Sequence, residues 1–493
     1  MSTSDKQLPR GALLVAMGQG TFVLSGFLLH LLLARKLTPA MFGIFNVAMA
    51  VLVWLEIMVN NGVPVALQRF LPDRNLSETS VLHVAARCQA LVGVAVFAAM
   101  FLAAPLLADG LRDPAMTKYL RLASVDILVM SAYAYYRGTL NGWRAFRQLS
   151  LTIAAYALTK IVAILSLVYL SFGVEGALVG NAISSVGGLA MGYFFARRYS
   201  SEPADNSHER EVNERRVMAF VLPAALFTLA SNILLGLDLM GVKALISDPD
   251  LVGYYSAAVK LAEAPRLILL AFSFTLLPSL SHAIAAQDPD QTRHDLEQVI
   301  RLLALVLLPI VALVTATAGA AIKLIFPAQY APAAPILTVL IVTYSTYTVY
   351  ITLVTALLAE NRPGRALAIP LGLLPLAVGA VWFGVFRFGL LGAAFASLLS
   401  VSLAATTVVV YVFWRFGPRP GLLARSLLRI GLASAAVWGI ARLWAPSGLM
   451  LIAAYGVLSA LCLALLLVLG EIRRRDLVEV FTLLPRSNRK QGA

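Results

Sequence analysis

Apolar stretches of about twenty residues, nearly free of charge, recur from one end of the chain to the other. LLALVLLPIVALVTATAGAAI at positions 302–322 is one of them. A stretch of that length is what a helix needs to cross the ~30 Å hydrocarbon core of a bilayer. A soluble domain has no way to cover so many of them with polar surface. AVILMFWYC residues make up 60% of the 493 positions and charged residues only 13%, and the mean hydropathy is +0.82. These values exclude a globular cytosolic enzyme, a disordered chain and a secreted disulfide scaffold. They leave room for about fourteen membrane helices.

Hydropathy places spans near 11–34, 42–63, 82–108, 118–138, 150–171, 176–196, 217–240, 252–280, 298–320, 334–358, 366–386, 390–414, 426–444 and 450–469. Backbone groups in lipid must pair within their own segment, and the period-2 pattern of a barrel is missing, so the spans are read as helices. The fold class expected is an all-α polytopic membrane protein. Very short links near 173–175 and 387–389 predict two tight helical hairpins. The start of the chain has no small-residue cleavage site before its first apolar run, and is read as a retained first helix.

The net charge is +14. In a chain this apolar, the basic excess marks cytoplasmic loops and not a nucleic-acid partner. With the N-terminus cytoplasmic and fourteen spans, 26 of the 39 Lys and Arg fall inside and 9 outside. An odd number of spans scrambles that bias. Both termini are therefore expected in the cytoplasm. The two cysteines, Cys88 and Cys462, lie in apolar runs and read as small core residues. The histidines show no metal-ligand spacing, and no G-x-x-x-x-G-K-[ST] phosphate loop occurs, so neither a metal nor ATP bound in that way is expected.

Internal similarity divides the chain. LTPAMFGIFNVAMA (37–50) lies over ISDPDLVGYYSAAVKL (246–261) at an offset of 210, pairing Pro39 with Pro249 and Gly43 with Gly253. FGVEGALVGNAIS (172–184) lies over FGLLGAAFASLLS (388–400) at an offset of 216. Each copy begins after an even number of spans, so the repeats are parallel and share an axis along the membrane normal. The domains expected are an N-lobe of six helices at 1–196, a cytoplasmic linker at 197–216, a C-lobe of six at 217–415, and two extra helices with a basic tail at 416–493. The lobes face each other across a central cavity.

The segments LLARKLTPAMFGIFNVAMAV (32–51) and VGYYSAAVKLAEAPRLILLAFSFTLLPSLSH (252–282), with FG-x-x-GA before spans 6 and 12, resemble the polysaccharide-transporter family. That family sits in the multidrug/oligosaccharidyl-lipid/polysaccharide exporter superfamily, beside the lipid II flippases and drug extruders. The resemblance implies a flippase that moves undecaprenyl-diphosphate-linked oligosaccharide outward by alternating access, for O-antigen, capsule or exopolysaccharide synthesis. It implies no catalysis and no cofactor beyond H+ or Na+ coupling. It places the protein in the bacterial inner (plasma) membrane, with a lipid-linked glycan, membrane lipids and polysaccharide-assembly proteins such as a polymerase as partners.

A charge inside a bilayer costs at least ~2.5–3.5 kcal/mol, so each one needs a reason. Lys260, Glu263 and Arg266 follow i, i+3, i+6 on span 8, with Pro265 able to kink the helix. They read either as a cationic patch tuned by Glu263 or as an ion-pair ladder that fixes packing. Lys160 and Arg87 complete the set of cavity cations, although Arg87 is near enough to a helix end to snorkel. Glu56, Asp126 and Asp238, with Glu263, are the candidate coupling acids. Tyr344, Tyr347, Thr348 and Thr352 share one face of span 10 and suit a sugar-contacting wall or ordinary interhelical packing. Gln19, Gly26 and His30 form a weaker stripe on span 1. The acid pairs Asp109/Asp113 and Asp248/Asp250 read as solvated loops.

The competing expectations are a lipid II or drug exporter and a polytopic glycan polymerase or ligase. A drug extruder calls for an acidic cavity and twelve spans. An enzyme calls for a large outside loop carrying catalytic groups, and the outside connections here are short.

Overall fold

The computed structural model describes residues 3–73, 75–199, 214–267, 280, 283–284, 288–360 and 363–471. The described residues form helices joined by short turns, with no strand. In order they are α1 (Thr3–Lys36), α2 (Pro39–Asn60), α3 (Val63–Phe70), α4 (Glu78–Gly110), α5 (Met116–Gly142), α6 (Phe146–Tyr169), α7 (Gly173–Tyr199), α8 (Glu214–Leu245), α9 (Pro249–Ala262), α10 (Pro289–Ile325), α11 (Ala334–Ala359), α12 (Pro363–Phe416), α13 (Pro420–Trp444) and α14 (Met450–Val468). Two 3-10 segments, Ala264–Leu267 and Ala328–Ala333, follow α9 and precede α11.

The solvent logic is that of a membrane protein. Large apolar side chains face outward, Leu106, Trp414 and Leu443 among them, while Asp126, Asp238 and Glu56 are buried. Among the described residues, eleven helices are long and apolar enough to cross a membrane. The three further spans expected from the sequence have physical explanations. α5 is 27 residues long, but Lys118, Arg121, Asp126 and Arg137 dilute its hydropathy. The 54 residues of α12 are two helices broken at Gly389, where φ is 58°. α9 accounts for the start of the span at 252–280, and most of the rest of that span lies outside the described residues.

The repeat seen in sequence has structural content. Gly173 and Gly389, equivalent at offset 216, both adopt positive φ (55° and 58°). Only glycine enters that region without steric cost, so each marks the reversal of a hairpin. The first half packs α1 on α6, α6 on α7, and α5 against α7, α4 and α2. The second half packs α8 on α12, α12 on α11, and α11 on α10. α13 and α14 lie against α10 through Leu313, Ile430, Val437 and Leu458. Arg301 on α10 and Glu471 after α14 fasten that addition with an ion pair of 2.5 Å. The expected linker falls mostly on 200–213, and the basic tail on 472–493, both outside the described residues.

The halves meet chiefly where α2 crosses α9. Thr38 caps α2 and Asp248 caps α9. Asp250 then reaches over and accepts the Ala40 amide at 3.0 Å, across the same offset of 210. A Cβ on Gly43 would lie 2.8 Å from the Gly253 nitrogen, and one on Gly253 would strike the Pro39 carbonyl. Close backbone approach is therefore why both copies carry glycine there. Lys243 and Asp113 pair at 2.5 Å on the same side. Asp113, Asp248 and Asp250 are thus structural partners and not merely solvated loop acids. Toward the opposite side, Val217 of α8 packs with Val63, Leu67 and Phe70 of α3.

Candidate functional site

Most of the polar groups singled out by sequence lie inside the bundle, in two groups. In the first half, Glu56 (α2), Asp126 (α5) and Lys160 (α6) come within electrostatic range of one another. The Asn181 amide on α7 donates to Asp126 Oδ2 at 2.5 Å. The Lys160 ammonium lies 3.4 Å from the Tyr156 hydroxyl. Tyr156 stacks on Tyr133, with ring centroids 5.3 Å apart. Arg137 lies over the Tyr133 ring, 5.6 Å from its centroid, and donates to Asn60 at 3.0 Å.

The second group shows what Pro265 does. Lacking an amide hydrogen, it cannot extend the helix ladder. α9 stops at Ala262, and Ala264–Leu267 turns as a 3-10 segment. Lys260 and Glu263 still pair at 3.2 Å. Arg266 does not continue their helical face: its amide donates to the Glu263 carbonyl at 3.0 Å, and its guanidinium lies over the Tyr347 ring of α11, 5.9 Å from the centroid. The single face of span 8 expected from i, i+3, i+6 spacing is therefore a helix end followed by a tighter turn. Asp238 on α8 sits apart, accepting from the Tyr255 hydroxyl and the Leu239 amide, each at 2.7 Å.

His30 on α1 connects the groups. It lies within electrostatic range of Lys260 and Glu263 in the second half and of Lys160 in the first. Its Nδ1 faces the Gly26 carbonyl at 2.8 Å. Lys160, Lys260 and Arg266 are each half-buried. The two halves thus direct cations toward a shared interior around one histidine.

Arg87 does not join them. It is exposed, on the same stripe of α4 as exposed Leu91 and Val94 at i+4 and i+7, so it belongs to the lipid-facing surface near the helix start. The span 10 stripe falls on α11 as expected, but Thr348 and Thr352 are fully buried and bond back to the carbonyls of Tyr344 and Thr348, each at 2.8 Å. Both hydroxyls are used within the helix and face no open wall in this conformation. Tyr344 and Tyr347 are buried beside Arg266. Two perimeter clefts, of about 820 Å³ beside Arg121 and Phe101 and about 370 Å³ beside Arg35 and Tyr455, are not lined by the inward cations. Sequence reasoning missed Asn181, Ser185 and Tyr255. The i, i+4 spacing of Asn181 and Ser185 in an apolar run was the available signal.

A family model described as polysaccharide biosynthesis protein matches residues 8–284. The chain belongs to that family, and so to the exporter superfamily its motifs resemble. No curated protein matches it by sequence. Among solved structures it is similar to the lipid II flippase MurJ in an inward closed conformation, at 15% identity over 94% of this chain and 100% of that one, with a TM-score of 0.71. It is also similar to the eukaryotic MATE transporter AtDTX14, at 11% identity over 86% and 98% of the two chains, TM-score 0.64. A third is a superfamily transporter from Pyrococcus furiosus, described as having a binding pocket of reverse polarity, at 15% identity over 83% and 95%, TM-score 0.62. At these identities the likeness establishes the fold: a multi-pass bundle shared by transporters.

Proposed function

We propose that this protein is a flippase that carries undecaprenyl-diphosphate-linked oligosaccharide units from the cytoplasmic to the outer leaflet of the bacterial inner membrane. The observation that carries the reading is the convergence of Lys160 and Lys260 on His30 between the halves, with Arg266 beside Glu263 and over Tyr347, in a chain of the polysaccharide biosynthesis family.

A lipid diphosphate that leaves one interface loses the water around its phosphates. Ammonium and guanidinium donors replace that hydration with charge-assisted hydrogen bonds. Separated cations suit the task, because a single tight clamp would not release the headgroup. Glu263, paired with Lys260, moderates the charge. With the N-terminus cytoplasmic, the α2–α9 crossing and the Lys243–Asp113 pair lie on the outer side. The conformation seen here is then closed outward, and release requires Gly43 to part from Gly253. Asp126, Glu56 and Asp238 remain the acids through which a coupling ion would act.

Replacing Lys260 or Arg266 with Ala is expected to abolish surface polysaccharide while leaving protein levels normal, read from membrane immunoblots and glycan gels of a complemented deletion strain. Wild-type glycan from both variants at normal abundance sinks the assignment.

A further inference from the structure

Lys118, Arg121 and Val125 follow i, i+3, i+7 along α5, and Glu175 and Val179 follow i, i+4 along α7. These two stripes line the larger perimeter cleft, of about 820 Å³, with Phe101 of α4 as a further wall. That volume lies in the range of sites that enclose a small organic ligand, ~300–1,000 Å³. Pro114 lines the cleft as well, next to Asp113, whose ion pair with Lys243 joins the halves. The cleft therefore lies at the same end of the bundle as the α2–α9 crossing.

Polarity changes along the cleft. The charges sit where α5 and α7 begin. Further along the same stripes the exposed side chains are apolar: Val125 and Leu128 on α5, Val179 and Ile183 on α7. A charged mouth that leads into an apolar lane matches the outline of a lipid, with its headgroup at the interface and its chain below.

The charges do not cancel. Lys118 and Glu175 pair at 2.5 Å and neutralise each other. Arg121 is exposed, its guanidinium 5.0 Å from the Phe101 ring centroid and its Nε donating to the Phe101 carbonyl at 3.4 Å. Among the described residues no carboxylate pairs with it. Its terminal nitrogens are left for an acceptor from outside the chain. The mouth thus carries a net charge of one positive unit, on an arginine that borders lipid and needs a reason to be there.

We propose that this cleft binds one phospholipid with a singly anionic, hydroxyl-bearing headgroup, of the phosphatidylglycerol kind. Its phosphodiester sits on Arg121, where a guanidinium can donate two parallel hydrogen bonds. A headgroup hydroxyl donates to Glu175, and an acyl chain covers Val125 and Val179. A phosphatidylethanolamine headgroup fits less well: it has no net charge, and its ammonium competes with Lys118 for Glu175. A free phosphate ester lacks the chain whose burial on the apolar lane adds to binding. None of the inward cations lines the cleft, so the lipid is resident and not cargo. The binding stands apart from the flippase reading, while its consequence rests on it: a lipid seated against Pro114 steadies the turn that holds the outer closure through Asp113.

The experiment is photo-crosslinking of the purified full-length protein in detergent with phosphatidylglycerol carrying a diazirine in one acyl chain, the labelled peptides being mapped by mass spectrometry. Label is expected within 114–125 and 172–179. Unlabelled phosphatidylglycerol is expected to compete for it, and phosphatidylethanolamine of the same chains and glycerol 3-phosphate are not. Arg121→Gln is expected to weaken labelling of these peptides at least about fivefold, or ~1 kcal/mol. Val125→Trp, which fills the lane, is expected to block it. Both positions are exposed, so both variants are expected to keep the wild-type Tm. Equal competition by the two phospholipids, or wild-type labelling of folded Arg121→Gln, overturns the proposal. Full competition by glycerol 3-phosphate overturns it in favour of a soluble phosphate ester, and stronger competition by a polyprenyl-diphosphate oligosaccharide overturns it in favour of a cargo track. Phosphatidylglycerol bound here by a protein that moves no glycan lipid contradicts the flippase reading and leaves the lipid site standing.

Discussion

Arg266 shows how a residue can be singled out from sequence while its geometry is misjudged. Its charge in an apolar segment is visible in the sequence, and so is Pro265. Missing from the sequence is that the helix ends at Ala262 and swings the guanidinium onto Tyr347 of a distant helix. A cation over an aromatic face gains ~0.5–2 kcal/mol. Tyr347→Phe preserves that face and is expected to retain export. Tyr347→Leu is expected to reduce it several-fold, measured as surface polysaccharide per unit of protein. Arg87 is the opposite case: its type matches the other cations, but it lies on the exposed face of α4, near the helix start. Arg87→Ala is expected to leave export within about twofold of wild type, consistent with a snorkelling role. Linear sequence does not fix which side of a helix faces lipid when both sides are apolar. That is why Arg87 entered the candidate set and Asn181 and Ser185 did not.

At the scale of elements, the features written most plainly in the sequence were those tied to backbone geometry. The offset of 210 between Pro39–Gly43 and Pro249–Gly253 becomes a physical crossing of α2 and α9, and the offset of 216 becomes two hairpins with left-handed glycines. Helix starts and reversals admit few residue types, so the repeats persist there while the packing faces diverge. Thr348 and Thr352 lay outside such reasoning, because a hydroxyl on a helix can serve a ligand or its own i−4 carbonyl equally well by spacing. Gly389→Ala places a Cβ in open space, so its cost is that of the backbone alone, ~1–3 kcal/mol. The expected result is a lower Tm in detergent with export retained. Gly43→Val is different: its side chain meets the Gly253 backbone. It is expected to hold the α2–α9 end apart, raising labelling of a cysteine placed at Ala40 by a membrane-impermeant maleimide. Unchanged labelling contradicts the assignment of that crossing as the outer gate.

Over the whole molecule, the hydropathy of the chain predicts a polytopic bundle, and its family and fold bear this out. The part sequence could not supply is the encounter between halves. His30, Lys160 and Lys260 belong to helices far apart in the chain, and no local pattern announces that they share a neighbourhood. Lys243 and Asp113 are likewise separated by 130 positions yet form an ion pair across the halves. Contacting charges of this kind couple by about 0.5–3 kcal/mol in a double-mutant cycle. Lys243→Ala and Asp113→Ala are therefore expected to be non-additive in thermal stability, and strict additivity contradicts a closed pair.

The central claim is tested most directly with purified protein in proteoliposomes. A polyprenyl-diphosphate oligosaccharide is loaded in one leaflet, and its arrival in the other is followed by an impermeant glycosidase or lectin. Wild-type protein is expected to equilibrate the lipid between leaflets, and the Arg266→Ala protein, reconstituted in equal amount, to leave it where it was placed. Equal rates for wild type, Arg266→Ala and protein-free vesicles contradict the account.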